Sequence, residues 1–143
     1  MRPLTLLAGL ALSSLTPLAH RARAQDSTAI TRADTLRGSI GPARAWWDVA
    51  FYDLHVTVQP ADSSVRGRVG IVYRVVAPAQ EMQIDLRQPL VVDSMLQGGR
   101  RLTYRRDGNA FFVTLVDAQR TGDRNTITVH YHGKPRAAQH APW

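Results

Sequence analysis

From Asp48 onward, apolar and polar residues alternate with a period of two. Tyr52, Leu54, Val56 and Val58 are apolar, and Asp53, His55, Thr57 and Gln59 between them are polar. Successive side chains of a strand point to opposite faces, so this run predicts a half-buried strand ended by Pro60. Ala61-Asp62-Ser63-Ser64 is the expected turn. Val65, Gly67, Val69, Ile71, Tyr73 and Val75 then line one face of a second, longer strand. Arg66, Arg68 and Arg74 occupy its other face, and the two strands are expected to pair as a hairpin.

Shorter runs follow at the spacing of an all-β domain. Met82, Ile84 and Leu86 alternate with Gln83 and Asp85, and Leu90 to Leu96 is bounded by Pro89 and Gly98-Gly99. Leu102 and Tyr104 precede Asp107-Gly108-Asn109, a tight-turn signal, after which Phe111, Val113 and Leu115 form the hairpin partner. A polar loop from Asp117 to Asn125 leads to Ile127, Val129 and Tyr131, with Thr126, Thr128, His130 and His132 on the opposite face. This makes about seven strands and no helix of three turns. One-sided alternation implies antiparallel sheets that each bury one face, which predicts an all-β fold, an antiparallel β-sandwich.

The residues ahead of this pattern are of a different kind. Leu4 to Leu15 is an uncharged, mostly apolar run of 12 residues after Arg2, and Ala22-Arg23-Ala24 presents small residues where a signal peptidase reads. Residues 1–24 are therefore expected to be a signal peptide cut between Ala24 and Gln25, with export to the periplasm or beyond. A spanning helix needs about 20 apolar residues, so no stable membrane anchor is expected. Gln25 to Ala43 is polar, contains Gly38, Gly41 and Pro42, and is expected to be a flexible lead-in; the alternative is a short helix around Ser27–Leu36, which no clear apolar stripe supports. The sandwich domain is placed at 44–143 and is expected to be incomplete at its C-terminal end, because Pro142-Trp143 has nothing after it to cover the aromatic ring.

Composition narrows the chemistry. The 143 residues suit one domain, and the absence of cysteine excludes disulfides, thiolate metal sites, a cysteine nucleophile and a lipoprotein anchor. The formal charge of +7 shrinks to +4 once Arg2, Arg21 and Arg23 leave with the signal peptide. Arg100-Arg101 and Arg105-Arg106, interleaved with Tyr104 and Phe112, have the look of a polyanion patch. With 17 arginines and one lysine, however, arginine-for-lysine usage is the simpler account, and no nucleic-acid partner is expected. Glu81 is the only glutamate, and no G-x-S-x-G, G-x-G-x-x-G or H-E-x-x-H occurs, so no catalytic residue is assigned.

Two residue pairs remain as candidates. His130-x-His132 sets two imidazoles on one strand face, a spacing that chelates zinc or copper if His140 or a carboxylate supplies a third ligand. The plainer alternative is the solvated face of an edge strand. Trp46-Trp47, at the entrance to the first strand, is a candidate carbohydrate-stacking platform for binding; the plainer alternative is a plug at the end of the sandwich or packing on a neighbouring domain.

Arg44-Ala45-Trp46-Trp47-Asp48-Val49, Phe51 to Val58, and Gly67-x-Val69-x-Ile71-x-Tyr73, in this order, resemble the N-terminal domain of aminopeptidase N-like zinc metallopeptidases. Met82-Gln83-Ile84-Asp85-Leu86, Asp107-Gly108-Asn109 and Ile127-Thr128-Val129-x-Tyr131-x-Gly133-Lys134-Pro135-Arg136 agree, and the likeness covers Arg44 to Trp143. The resemblance implies a saddle-like β-sandwich that precedes a thermolysin-like catalytic domain. In that family the later domain carries H-E-x-x-H, a further glutamate ligand and a G-x-M-E-N-type motif, none of which is present here. It follows that no cofactor is expected in this chain, with zinc belonging to the missing catalytic domain. The expected partner is that domain of the same parent polypeptide, and peptide substrates are reached only through it. The competing expectation is a stand-alone secreted β-sandwich that binds carbohydrate or protein.

Overall fold

The computed structural model describes residues 29–136, and they form two antiparallel sheets with two short helices against one of them. In chain order the elements are α1 (Arg32–Gly38), α2 (Pro42–Ala45), β1 (Trp47–Gln59), β2 (Ser64–Val75), β3 (Glu81–Asp85), β4 (Val91–Gln97), β5 (Arg100–Arg101), β6 (Thr103–Asp107), β7 (Ala110–Thr114) and β8 (Arg124–Gly133). The larger sheet has the order β1-β2-β8-β4-β5, and the smaller has the order β3-β7-β6.

The alternation read from the sequence sets the sandwich. Ile71, Tyr73 and Val75 of β2, Ile127 and Val129 of β8, and Val92 and Met95 of β4 point inward from the large sheet. Met82 and Ile84 of β3 and Phe111 and Val113 of β7 meet them from the small sheet. Trp46, Leu102 and Leu115 complete this core. The hairpin between β1 and β2 turns through a 3-10 turn at Pro60–Asp62 and Ser63, whose φ of 56° lies in the left-handed region. Asp62 accepts from the Ser64 amide and hydroxyl, which close the turn and hold its carboxyl below the ordinary value.

The structure corrects the sequence reading at three places. The described part of the lead-in is helical in two stretches. Thr31 and Asp34 form a reciprocal capping box that starts α1, and Pro42 sits in the first turn of α2, where its fixed φ suits a helix. These helices lie on the small sheet's second face: Leu36 and Ala43 pack on Ala110 and Phe112, and Gln83 donates to the Leu36 carbonyl at 3.0 Å. That is why Gln83 and Phe112 are buried although the alternation places them on the polar side.

The second correction concerns β1. Expected to be half-buried, it is exposed from Asp48 to Gln59. Tyr52, Leu54, Val56 and Val58 retain 61%, 60%, 46% and 61% of their accessible surface. Their alternation is real, since they pair in register with Ile71, Val69, Gly67 and Val65 of β2. What is absent is a cover, because the three-stranded sheet packs on this same face of the five-stranded one but spans only part of it and stops short of β1.

The third correction is to strand position. The last strand, β8, is not at an edge: it lies in the middle of the large sheet, between β2 and β4.

Candidate functional site

The feature that sets this domain apart is the uncovered inner surface of β1 and its neighbours. A groove of about 620 Å³ runs between the large sheet and the rim made by β3 and the helices. Trp47, Val49, Tyr52, Val69, Val129 and Tyr131 form its floor, and Ile84, Leu86, Ile40 and Arg44 its wall. The wall is tied in place by polar contacts. Arg44 forms an ion pair with Asp85 and donates to the Arg37 carbonyl, so the two helices and β3 are joined through one guanidinium. Exposed apolar faces of this extent on a folded domain mark interaction sites.

Trp46 and Trp47 do not form a stacking platform. Trp46 keeps 3% exposure, donates its indole N–H to the Glu81 carbonyl at 2.7 Å and meets Tyr73 edge-on at 6.0 Å between centroids. Trp47 is partly buried, donates to the Ala43 carbonyl at 3.0 Å and contacts the same Tyr73 ring at 5.9 Å. The pair therefore plugs the end of the sandwich, and only Trp47 reaches the groove.

His130 and His132 share the outer face of β8, as the spacing predicts, but with different neighbours. His132 Nδ1 lies 2.5 Å from Asp93 Oδ1, while His130 stands in a cross-strand row with Arg68 and His55. Zinc needs three or four ligands from such side chains. Among the described residues no three His, Asp or Glu groups come together in that way. His140, Ala24 and Gln25 lie outside the described residues.

The arginines are largely engaged by the domain itself. Arg105 reaches Glu81 at 3.3 Å and lies 3.7 Å from the Phe112 ring centre, Arg106 lies 4.9 Å from that of Phe111, and Arg100 pairs with Asp117. Among the described residues no helix is long and apolar enough to cross a membrane.

Beneath the sandwich end lies a buried polar cluster that the sequence reading missed. The Tyr73 hydroxyl donates to Gln119 Oε1 at 2.8 Å, and Asn125 donates to the same oxygen at 3.0 Å. Gln97 Oε1 accepts from the Val116 amide at 3.2 Å, and Gln119 donates to the Asp117 carbonyl at 2.7 Å. Burial, reinforced by Asp117, pushes the Tyr73 phenol up to about 12. The cluster holds the loop after β7 on the core; its members are scattered along the chain, and no local motif announces it.

No family model matches the chain, and no curated protein matches its sequence. Its fold, however, resembles part of solved zinc metallopeptidase structures. The M1 zinc metallopeptidase from Deinococcus radiodurans superposes with a TM-score of 0.58 at 24% identity, covering 71% of this chain and 23% of that one. A variant of the same enzyme bound to a Tyr-Ser-Ala substrate gives 0.58 at 23% identity, over 71% and 24%. Native leukotriene A4 hydrolase from Saccharomyces cerevisiae gives 0.52 at 16%, over 61% and 15%. The chain thus has a fold found within M1 zinc metallopeptidases and spans less than a quarter of their length. The resemblance read from its motifs points to the same class of protein.

Proposed function

We propose that this chain is a non-catalytic β-sandwich domain of an exported aminopeptidase N-like zinc metallopeptidase. Its role is to dock on the catalytic domain of the same parent polypeptide and to shape the entrance through which peptide substrates pass. The observation that carries this reading is the uncovered apolar row of Tyr52, Leu54, Val56 and Val58 on β1, which continues the groove floor from Tyr52 on an otherwise closed core. About 25 cal/mol is gained per Å² of apolar surface removed from water, so such a floor favours a second body against it. The fold match supports metallopeptidase as the class of that body. Zinc, on this reading, would be held by the catalytic domain and would supply the Lewis-acid chemistry of hydrolysis there. A wall set beside such a site excludes bulk water and restricts access to chain ends.

Two measurements test the proposal. The genomic reading frame downstream of the Trp143 codon is expected to encode H-E-x-x-H in frame. The chain assayed with zinc on chromogenic aminoacyl substrates is expected to give no turnover. A stop codon at that point with no such frame nearby, or zinc-dependent turnover by this chain, overturns the reading.

A further inference from the structure

The face of β1 has an unusual companion in its edge. β1 is 13 residues long and hydrogen-bonds to β2 on one side, while its other side has no neighbour among the described residues. Unpaired edges are normally guarded by lysine, proline, a bulge, a covering element or simple shortness, because they otherwise accept another strand. From Phe51 to Gln59 β1 carries no lysine and no proline, and its register with β2 is unbroken; the single bulge, at Ala50, lies before this stretch.

We propose that this edge pairs antiparallel with the same edge of a second copy of the chain, about a two-fold axis at Leu54, joining two five-stranded sheets into one of ten. Opposite residues in an antiparallel pair share a face, so the axis must fall on a residue. The unguarded stretch is centred on His55, and the axis positions around it run from Asp53 to Thr57. An axis at Val56 sets His55 against Thr57 and Asp53 against Gln59, and one at Thr57 sets His55 against Gln59, so neither brings the carboxylate opposite the imidazole. An axis at Asp53 sets the two Asp53 carboxylates directly against each other, and like charges in that position repel. An axis at His55 sets imidazole against imidazole and leaves Asp53 facing Thr57. The axis at Leu54 sets Asp53 of each copy against His55 of the other, Leu54 against Leu54, and Tyr52 against Val56. It therefore makes two carboxylate–imidazole pairs on the outer face and a continuous apolar row on the inner one. Asp53 and His55 are already partners within one copy, with Nε2 3.0 Å from Oδ1, so both groups stand on the face where the exchange occurs. This pairing uses the edge of β1 and leaves the groove floor open, so it does not rest on the docking reading.

The test is the mass of the full chain by light scattering and sedimentation across a concentration series. Twice the chain mass is expected. His55→Asp creates facing carboxylates and is expected to weaken association roughly tenfold. The double exchange Asp53→His with His55→Asp restores carboxylate–imidazole pairs across the axis and is expected to recover most of the affinity. Leu54→Cys, in a protein without cysteine, is expected to form a disulfide-linked dimer under mild oxidation. Val58→Cys places the two sulfurs about 26 Å apart along the strands and is expected to give none. A monomer at high micromolar concentration, aggregates without a discrete dimer, a double exchange as weak as His55→Asp, or equal cross-linking at both positions would overturn the proposal.

Discussion

Tyr131 of β8 stands opposite Gly67 of β2 and occupies the space a β-carbon on Gly67 would need, with Cε1 2.7 Å from that position. Glycine at this point is a packing choice: it lets a tyrosine lie across the strand and floor the groove. Gly67→Ala is expected to push the ring aside and cost about 1–3 kcal/mol, read from denaturant unfolding. In a Tyr131→Leu background the same change meets less and gains from lower unfolded-state entropy, so it is expected to be neutral or to stabilise by about 0.5 kcal/mol. Equal costs in both backgrounds would separate the two residues.

Tyr73 gives a pH dependence with a definite sign. Its phenol is fully buried and its folded value of about 12 lies above the ordinary 10.0, so the folded state favours the protonated form. That contribution is complete below pH 10 and is lost as pH rises toward 12, on the order of 2 kcal/mol. Tyr73→Phe is expected to remove this slope from an alkaline stability profile. At neutral pH the same substitution costs about 1–2 kcal/mol, because Gln119 and Gln97 lose a buried partner. An unchanged alkaline slope in Tyr73→Phe would assign it to other groups.

The capping box of α1 is testable without touching the core. Thr31→Ala is expected to raise amide exchange across 32–38, with a cost of about 1 kcal/mol confined to that helix. Asp34 is held below its ordinary value chiefly by the Thr31 hydroxyl. Its contribution is therefore present above pH 4 and lost as pH falls through the lowered value. Acid is expected to fray α1 before the sheets open. Exchange that rises uniformly across the domain would mean that α1 and the sandwich open as one unit.

The reach and the limit of the sequence pattern have the same physical origin. A period of two states which residues share a face, and the faces of β2 and β8 follow it residue for residue, whereas β4 breaks it at a bulge between Val92 and Ser94. It does not state what lies over a face. Tyr52 and Ile71 are registered neighbours with the same polarity, yet one is open and the other buried, because the smaller sheet spans only part of the larger. Gln83 and Phe112 fail in the opposite direction: both sides of the small sheet are covered, and the cover comes from a polar segment whose apolar contribution reduces to Leu36 and Ala43. That segment carries no apolar stripe, and the Thr31–Asp34 capping box that starts α1 is a feature the sequence reading missed. For His130 and His132 the spacing states a shared face correctly, but strand order depends on long-range pairing that no local pattern contains.

The uncovered floor makes the final prediction, a contrast between two leucine-sized positions on one sheet. Leu54 has lost little of its surface to folding, so Leu54→Gln forfeits little burial and is expected to change stability by no more than about 0.5 kcal/mol. Ile127 sits with no exposure at the sheet's centre, and Ile127→Ala is expected to cost about 2–5 kcal/mol through lost contacts and a residual cavity. Binding of a fluorescent apolar dye should move the other way: it falls for Leu54→Gln, which removes exposed hydrocarbon, and holds or rises for Ile127→Ala. If Leu54→Gln proves as destabilising as Ile127→Ala, β1 is already covered in solution, and the floor is not available to a partner.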